Sequence, residues 1–402
     1  MTHPLARRVA GFGTTIFTEM SALALQHNAV NLGQGFPDFA APDFVKQAAI
    51  NAVNADLNQY APMPGIPHIR QAIAKQWAKD TGREIDWQTE VSVTSGATEA
   101  LCDAALSFLN PGDKAIIFEP AYDAYVPDII MAGATPVPVL LRPPTPNGQR
   151  GTNGDPANSW SFDPDELRAA FEQRPKLIFL NTPHNPTGKV YRRDELELIA
   201  KLCQEFDVIA ITDEVYDRLT YDGAEHISLA TIDGMWERTL TLNSVGKTFS
   251  VTGWKIGWSV GPAKLNQALR ASHQWVTFAT STPMQEATAV AIEQAISGSY
   301  YQDLRIEYNE RRQLLYDILE GIGLPILPAD GSYFISADIS AIGYTDDRAF
   351  CRMLTSEYGV AAIPTSAFYS DPSQAPTLAR FCFAKKIETL HAAAERLQKL
   401  KV

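Results

Sequence analysis

Lys247 lies in the run Ser244-Val245-Gly246-Lys247-Thr248-Phe249-Ser250, and a second lysine follows in Thr252-Gly253-Trp254-Lys255-Ile256-Gly257. A lysine that forms a Schiff base must bring a neutral amine to a carbonyl. Small neighbours such as Ser244 and Gly246 let a cofactor approach the backbone closely. Lys255 is spaced to act as a fixed positive charge for a phosphate. An imine-forming lysine beside a phosphate-binding lysine suggests pyridoxal 5′-phosphate (PLP). Lysines near glycines also occur on solvated turns, so the other groups this cofactor needs must be sought along the chain.

Its phosphate needs amide donors, which a helix N-terminus supplies. Ser95-Gly96-Ala97-Thr98 stands between a strand pattern and a helical one, although it also reads as a plain strand–helix turn, and it does not match the GxxxxGK[ST] P-loop. A carboxylate must keep the pyridine nitrogen protonated, because only a pyridinium is a strong electron sink. Asp213, in Ile211-Thr212-Asp213-Glu214-Val215-Tyr216, follows an apolar strand, where ligands of open α/β sheets gather. An acidic residue there can equally cap a helix. Tyr216 could donate to the ring's phenolate oxygen, and so could Asn185, held in the proline-rich turn Asn181-Thr182-Pro183-His184-Asn185-Pro186-Thr187-Gly188. Arg380 is a lone charge in the apolar strand Ala379-Arg380-Phe381-Cys382-Phe383. It must be paired, either with a local carboxylate or with the carboxylate of an amino acid.

The elements that must position these residues alternate from about residue 90 between β-branched runs and helical patterns, as in a mostly parallel sheet covered by helices. Strands are expected at Glu90–Thr94, Ala115–Phe118, Leu177–Leu180, Val208–Thr212, Thr239–Asn243 and Ile256–Val260, with helices at Glu99–Leu109 and Asp194–Phe206. Pro143–Ser159 reads as a surface loop or insertion. Beyond about residue 285 come a long helix through Tyr300–Leu319, strands at Gly331–Ile335, Val360–Ile363 and Arg380–Phe383, and a terminal helix Ile387–Lys399, which suggest a second, α+β domain.

A chain of 402 residues favours two domains. Its net charge of −12 argues against a nucleic-acid surface. Cys102, Cys203, Cys351 and Cys382 lack metal-ligand spacing, so no metal is expected and reduced thiols are. No run of about 18 apolar residues indicates a membrane span. These features suit a soluble, cytoplasmic protein.

The order and spacing of Asn181–Gly188, Asp213–Tyr216, Ser244–Lys247, Thr252–Gly257 and Arg380–Phe383 resemble the class I branch of fold-type-I PLP-dependent aminotransferases. Within it, Gly33-Gln34-Gly35-Phe36-Pro37-Asp38-Phe39 looks like the kynurenine/glutamine and bacterial methionine aminotransferases, and Gly13–Phe17, Asn58–Met63 and Thr182–Pro186 look most like the methionine enzymes. The resemblance implies a seven-stranded, mostly parallel sheet in a large domain over 45–285, an N-terminal arm and part of the small domain over 1–44, and a small C-terminal domain over 286–402. It implies that Lys247 forms the Schiff base and moves a proton, that Asp213 pairs with the pyridine nitrogen, and that Asn185 and Tyr216 bind the ring oxygen. Tyr122 would stack on the ring, and Gly96, Ala97, Thr98, Ser244 and Lys255 would hold the phosphate. Tyr60 would reach in from a partner subunit of a homodimer. Arg380, Gly35 and Asn185 would bind the substrate carboxylate, and Phe17 with the partner-donated Phe278 would line a side-chain pocket, although core packing explains those two phenylalanines as well.

The expected reaction is ping-pong transamination between a neutral amino acid, methionine above all, and a 2-oxo acid. Aromatic amino acids, glutamine and kynurenine are further donors. Two rivals share the site: cysteine-conjugate β-lyase activity and kynurenine–oxoglutarate transamination. A transcription regulator carrying a basic module is set aside, since only the residues before Asn31 precede the matching region. The role of His184 stays open.

Overall fold

Most strands of the large sheet are apolar runs buried on both faces, which helices on its two sides cover. The computed structural model describes residues 5–144 and 159–400. Its strands are β1 (Val30–Asn31), β2 (Val91–Thr94), β3 (Lys114–Glu119), β4 (Thr135–Leu140), β5 (Leu177–Asn181), β6 (Ile209–Asp213), β7 (Thr239–Ser244), β8 (Gly257–Val260), β9 (Phe334–Asp338), β10 (Val360–Ala361), β11 (Ile363–Pro364) and β12 (Leu378–Cys382). Seven of them form a sheet in the order β2-β8-β7-β6-β5-β3-β4, in which only β8 runs antiparallel to its neighbours.

Strand β5 shows how the sequence is read by the two faces. Leu177 and Phe179 pack on one side with the helices Gly96–Phe108 and Ala263–Val276, while Ile178 and Leu180 pack on the other with the helices Pro164–Glu172 and Arg193–Phe206. This period of two, apolar on both faces, is what a covered parallel strand requires. A third cluster joins Val91, Val93, Trp258 and Val260 at the β2–β8 edge to Val45, Ile73 and Ile292.

The segments expected from sequence form with shifted ends, except Val360–Ile363, which divides at Ala362 into β10 and β11 in different sheets. The helix after Ser95 starts at Gly96 rather than Glu99. The strand expected at Gly331–Ile335 begins only at Phe334, because Ser332 takes a left-handed φ of 60° and breaks extended pairing. Strand β4 was not foreseen: Pro136 and Pro138 argue against a central strand, and it lies at the edge of the sheet, where missing N–H groups cost no ladder bond. Most of the expected loop Pro143–Ser159 lies outside the described residues.

A second, antiparallel sheet runs β11-β12-β9, and β1 pairs with β10. One core unites these strands with Met20 and Leu32 from the front of the chain and with Tyr216 and Leu219 from the loop after β6. The chain's early residues thus pack on its last third, beside the C-terminal ends of the large sheet's parallel strands. No helix among the described residues is long and apolar enough to cross a membrane.

Candidate active site

Strands β5, β6 and β7 end in Asn181, Asp213 and Ser244, and all three line one cavity of about 350 Å³. Asn181 fixes the proline-rich turn to the next strand: its Nδ2 donates to the Asp213 carbonyl at 2.8 Å, and its Oδ1 accepts from the Asn185 amide at 2.6 Å. Asp213 is buried, and its Oδ2 accepts from the Tyr125 hydroxyl at 2.8 Å. Burial pushes the Asp213 carboxyl up to about 6, against the Tyr125 hydrogen bond and the nearby Lys247 charge, which pull it down.

Lys247 projects from the four-residue helix Val245–Thr248 that follows β7. Its Nζ lies 3.4 Å from the Gly35 carbonyl and over the rings of Tyr216 and Tyr333, at 5.6 and 5.5 Å. Burial brings the amine down to about 8, with the Lys255 and Arg380 charges adding to the fall. Such a lysine gives up its proton near neutrality, as a nucleophile or base must.

The antiparallel strand β8 closes one wall. A Cβ on Gly257 would come within 2.4 Å of the Gly96 carbonyl carbon and 2.5 Å of the Ala97 nitrogen, so only glycine lets this strand sit beneath the Ser95–Thr98 turn. Gly96 itself has φ +75°, and a Cβ there would meet Lys255 Nζ at 3.1 Å. Lys255 Nζ stands 3.5 Å from Thr98 Oγ1. Gly96, Ala97, Thr98, Ser244 and Lys255 therefore form one cradle, open to the cavity.

Arg380, on the central strand β12 of the small sheet, is 1% exposed. Its Nη1 donates to Asn185 Oδ1 at 2.8 Å and its Nη2 to the Gly33 carbonyl at 2.9 Å, while Nε has no partner. The guanidinium lies 3.9 Å over the Phe334 ring and 5.4 Å from that of Phe17. Among the described residues no carboxylate lies within ion-pair distance of it. The local salt bridge that sequence left open is not what balances Arg380. Each terminal nitrogen keeps one N–H for a ligand, a geometry suited to a carboxylate.

Gly35, Phe17, Tyr122, Asn185 and Tyr216 also line the cavity. Tyr60 and Phe278 do not: they pack edge to face on each other, centroids 5.7 Å apart, and Tyr60 is 85% exposed. His184 is buried outside the cavity with Nδ1 at 2.7 Å from Thr187 Oγ1, and burial holds its imidazole down to about 3, so it braces the turn as a neutral ring. Sequence reasoning missed Tyr125, Tyr333 and Phe334. Tyr125 left one trace, a second tyrosine three residues after Tyr122. The other two become site residues only through β9.

A lysine with a lowered pKa, a buried carboxylate without a paired cation, a cradle that a Cβ would fill and an unpaired guanidinium fit PLP with an amino acid. Comparison with known proteins agrees. The chain is 43% identical to human kynurenine–oxoglutarate transaminase 1, covering 99% of this chain and 98% of that one. N-succinyldiaminopimelate aminotransferase from Mycobacterium tuberculosis superposes with a TM-score of 0.91 at 42% identity, covering 98% and 99% of the two chains. YbdL of Escherichia coli, for which a methionine aminotransferase function is identified, superposes with a TM-score of 0.91 at 38% identity, again over 98% and 99%. Residues 27–397 match the description "Aminotransferase class I and II", and the chain belongs to that family, whose members work with PLP.

Proposed function

We propose that this aminotransferase holds PLP in the cavity and moves the amino group of a neutral amino acid, methionine first, to a 2-oxo acid. The observation that carries the reading is the convergence of Asp213, Lys247 and Arg380 on one cavity, none of them ion-paired among the described residues. When bound, PLP supplies an electron sink beside the substrate's Cα. The Ser95–Thr98 turn, Ser244 and Lys255 would hold its phosphate, Asp213 its ring nitrogen, and Asn185 and Tyr216 its ring oxygen, with Tyr122 against the ring. Arg380, steadied by Asn185 and Gly33, grips the substrate carboxylate beside Gly35. Lys247 Nζ would take the proton from the substrate's Cα and deliver it to the cofactor's carbon, and would carry it in the opposite sense when the 2-oxo acid is aminated. Its lowered pKa keeps a neutral fraction available for that transfer.

Among the described residues, Lys247, Lys255 and Arg380 are the cations lining the cavity, and each already has a proposed task. A second substrate carboxylate would find no further cation, while Phe17 and Phe334 offer an apolar wall. That favours methionine and aromatic donors over aspartate. The relatives do not choose among donors, since their names specify kynurenine, N-succinyldiaminopimelate and methionine aminotransferases. Kynurenine is the second reading, favoured by the 43% identity to the human transaminase.

The reading includes a homodimer, supported by the exposed aromatics Tyr60, Trp275 and Phe278. In it, Tyr60 and Phe278 serve the partner's site. A cytoplasmic, reducing setting is supported by four free cysteines. The test is the absorbance of lysine-bound PLP before and after adding methionine without an oxo acid. Its loss, reversed by a 2-oxo acid, is the expected result. An unchanged spectrum with methionine but a response to kynurenine would shift the assignment to the second reading.

A further inference from the structure

Behind the phosphate cradle lies a buried trio outside the cavity: Glu99 on the helix Gly96–Phe108, Asp103 one turn on, and His273 on the helix Ala263–Val276. Glu99 Oε2 accepts from the Ser95 amide, at the turn that carries Gly96, and Glu99 Oε1 lies 2.9 Å from His273 Nδ1. His273 Nε2 lies 3.0 Å from the Met63 carbonyl. A carbonyl only accepts, so Nε2 carries a proton. A carboxylate also only accepts, so the contact at Nδ1 requires a second proton. The ring that satisfies both is the imidazolium.

We propose that His273 is a positioning residue whose positive charge neutralises Glu99, so that the turn braced by Glu99 can receive a phosphate dianion. The inference rests on the PLP reading above. Glu99 is needed to hold the Ser95 amide, yet its carboxylate sits in the first turn of the helix whose N-terminus must attract an anion. Uncompensated, that charge opposes the favourable end of the helix dipole. Burial raises Glu99 and lowers His273, but it is outweighed by their mutual hydrogen bond and charge, helped at Glu99 by Thr277 and the Ser95 amide and at His273 by Asp103 and the Met63 carbonyl, leaving Glu99 below its usual value and His273 above its own. Asp103, whose oxygens have no hydrogen-bond partner and whose Oδ2 is 3.7 Å from His273 Nδ1, is pushed up to about 7, chiefly by burial. At neutral pH it therefore carries only part of a negative charge, less than the full charge of Glu99.

The test measures dissociation constants of PLP and of pyridoxal, which lacks the phosphate, for the full-length protein and its variants. His273→Gln should weaken PLP by about tenfold or more, because a buried charge loses its partner, and leave pyridoxal unchanged. Glu99→Gln should bind PLP as well as wild type or better. The double variant should regain most of the lost affinity, since the penalty lies in the pair. Equal weakening of PLP and pyridoxal, or no rescue in the double variant, overturns the inference. If His273→Gln does not fold, Glu99→Gln decides alone, and a loss of PLP affinity there overturns it. A divalent ion retained by the purified protein and lost in His273→Gln also overturns it, since a metal would then balance Glu99. Failure of wild type to bind PLP sinks the functional reading itself, whereas PLP binding that His273→Gln leaves unchanged sinks this inference alone.

Discussion

Asp213 and Lys247 show how one site sets two proton affinities in opposite senses by the same means. Asp213 is buried and Lys247 half-buried, and loss of water disfavours charge, so the carboxyl rises to about 6 and the amine falls to about 8. The amine gains from this, because a base must be neutral. The carboxyl does not, because in its proposed role it must stay ionised to hold a ring nitrogen protonated. Tyr125 opposes the rise by donating to Asp213 Oδ2. Tyr125→Phe removes that bond and lets the Asp213 pKa climb further. A hydrogen bond to a charged group contributes about 1.5–3 kcal/mol, so kcat should fall about tenfold to a hundredfold. The KM for the amino acid should hold, because the Arg380 grip is untouched. Steady-state kinetics check this: a rise in KM with constant kcat would show that Tyr125 acts on substrate binding instead.

Among the elements, β8 shapes the cradle proposed for the phosphate by its close passage under Gly96 and Ala97. Gly257→Ala forces the strand and the turn apart, an overpacking that costs about 1–3 kcal/mol. PLP affinity should fall about tenfold, in proportion to that cost. Gly253→Ala is the control, since nothing lies within 4 Å of a Cβ there. Equal PLP dissociation constants for the two variants would mean that the cradle does not depend on β8. Sequence made the strand ends legible, because Asp213, Ser244 and the turn at Asn185 each follow an apolar run whose burial fixes where the strand must stop. It also exposed Arg380, through the conflict of a charge inside an apolar strand. It left Tyr125, Phe334 and the Glu99–His273 pair dark, because their partners lie far along the chain and no local period records them. Strand β4 stayed hidden for another reason: its prolines carry a local signal that edge position overrides.

At the scale of the whole molecule, most of the shifted acids and histidines make stability fall as pH rises, and His184, held neutral by burial, opposes them below its unfolded value. Burial raises Asp103 and Asp128 to about 7 and Asp213 to about 6. A carboxyl whose folded pKa exceeds its unfolded one keeps its proton longer in the fold, so stability falls as pH rises through that interval. His68 and His226 are lowered by burial but raised more by their carboxylate neighbours, Glu286 with Glu293 at His68 and chiefly Glu214 at His226, and their contribution is likewise lost as pH rises through their folded values. Glu293, held down chiefly by Lys75, acts oppositely, losing its contribution only as pH falls below the ordinary carboxylate range. The PLP-free protein should therefore melt higher at about pH 6 than at about pH 8. Asp128 isolates the effect: its Oδ2 is buried without a partner, and asparagine keeps its shape but cannot ionise. Asp128→Asn should raise the melting temperature at about pH 8 and leave it nearly unchanged at about pH 6, flattening the slope. Calorimetry of both proteins at the two pH values decides it. An equal loss at both would mean that the carboxyl's shape and hydrogen bond at Cys102, rather than its ionisation, govern this part of the core.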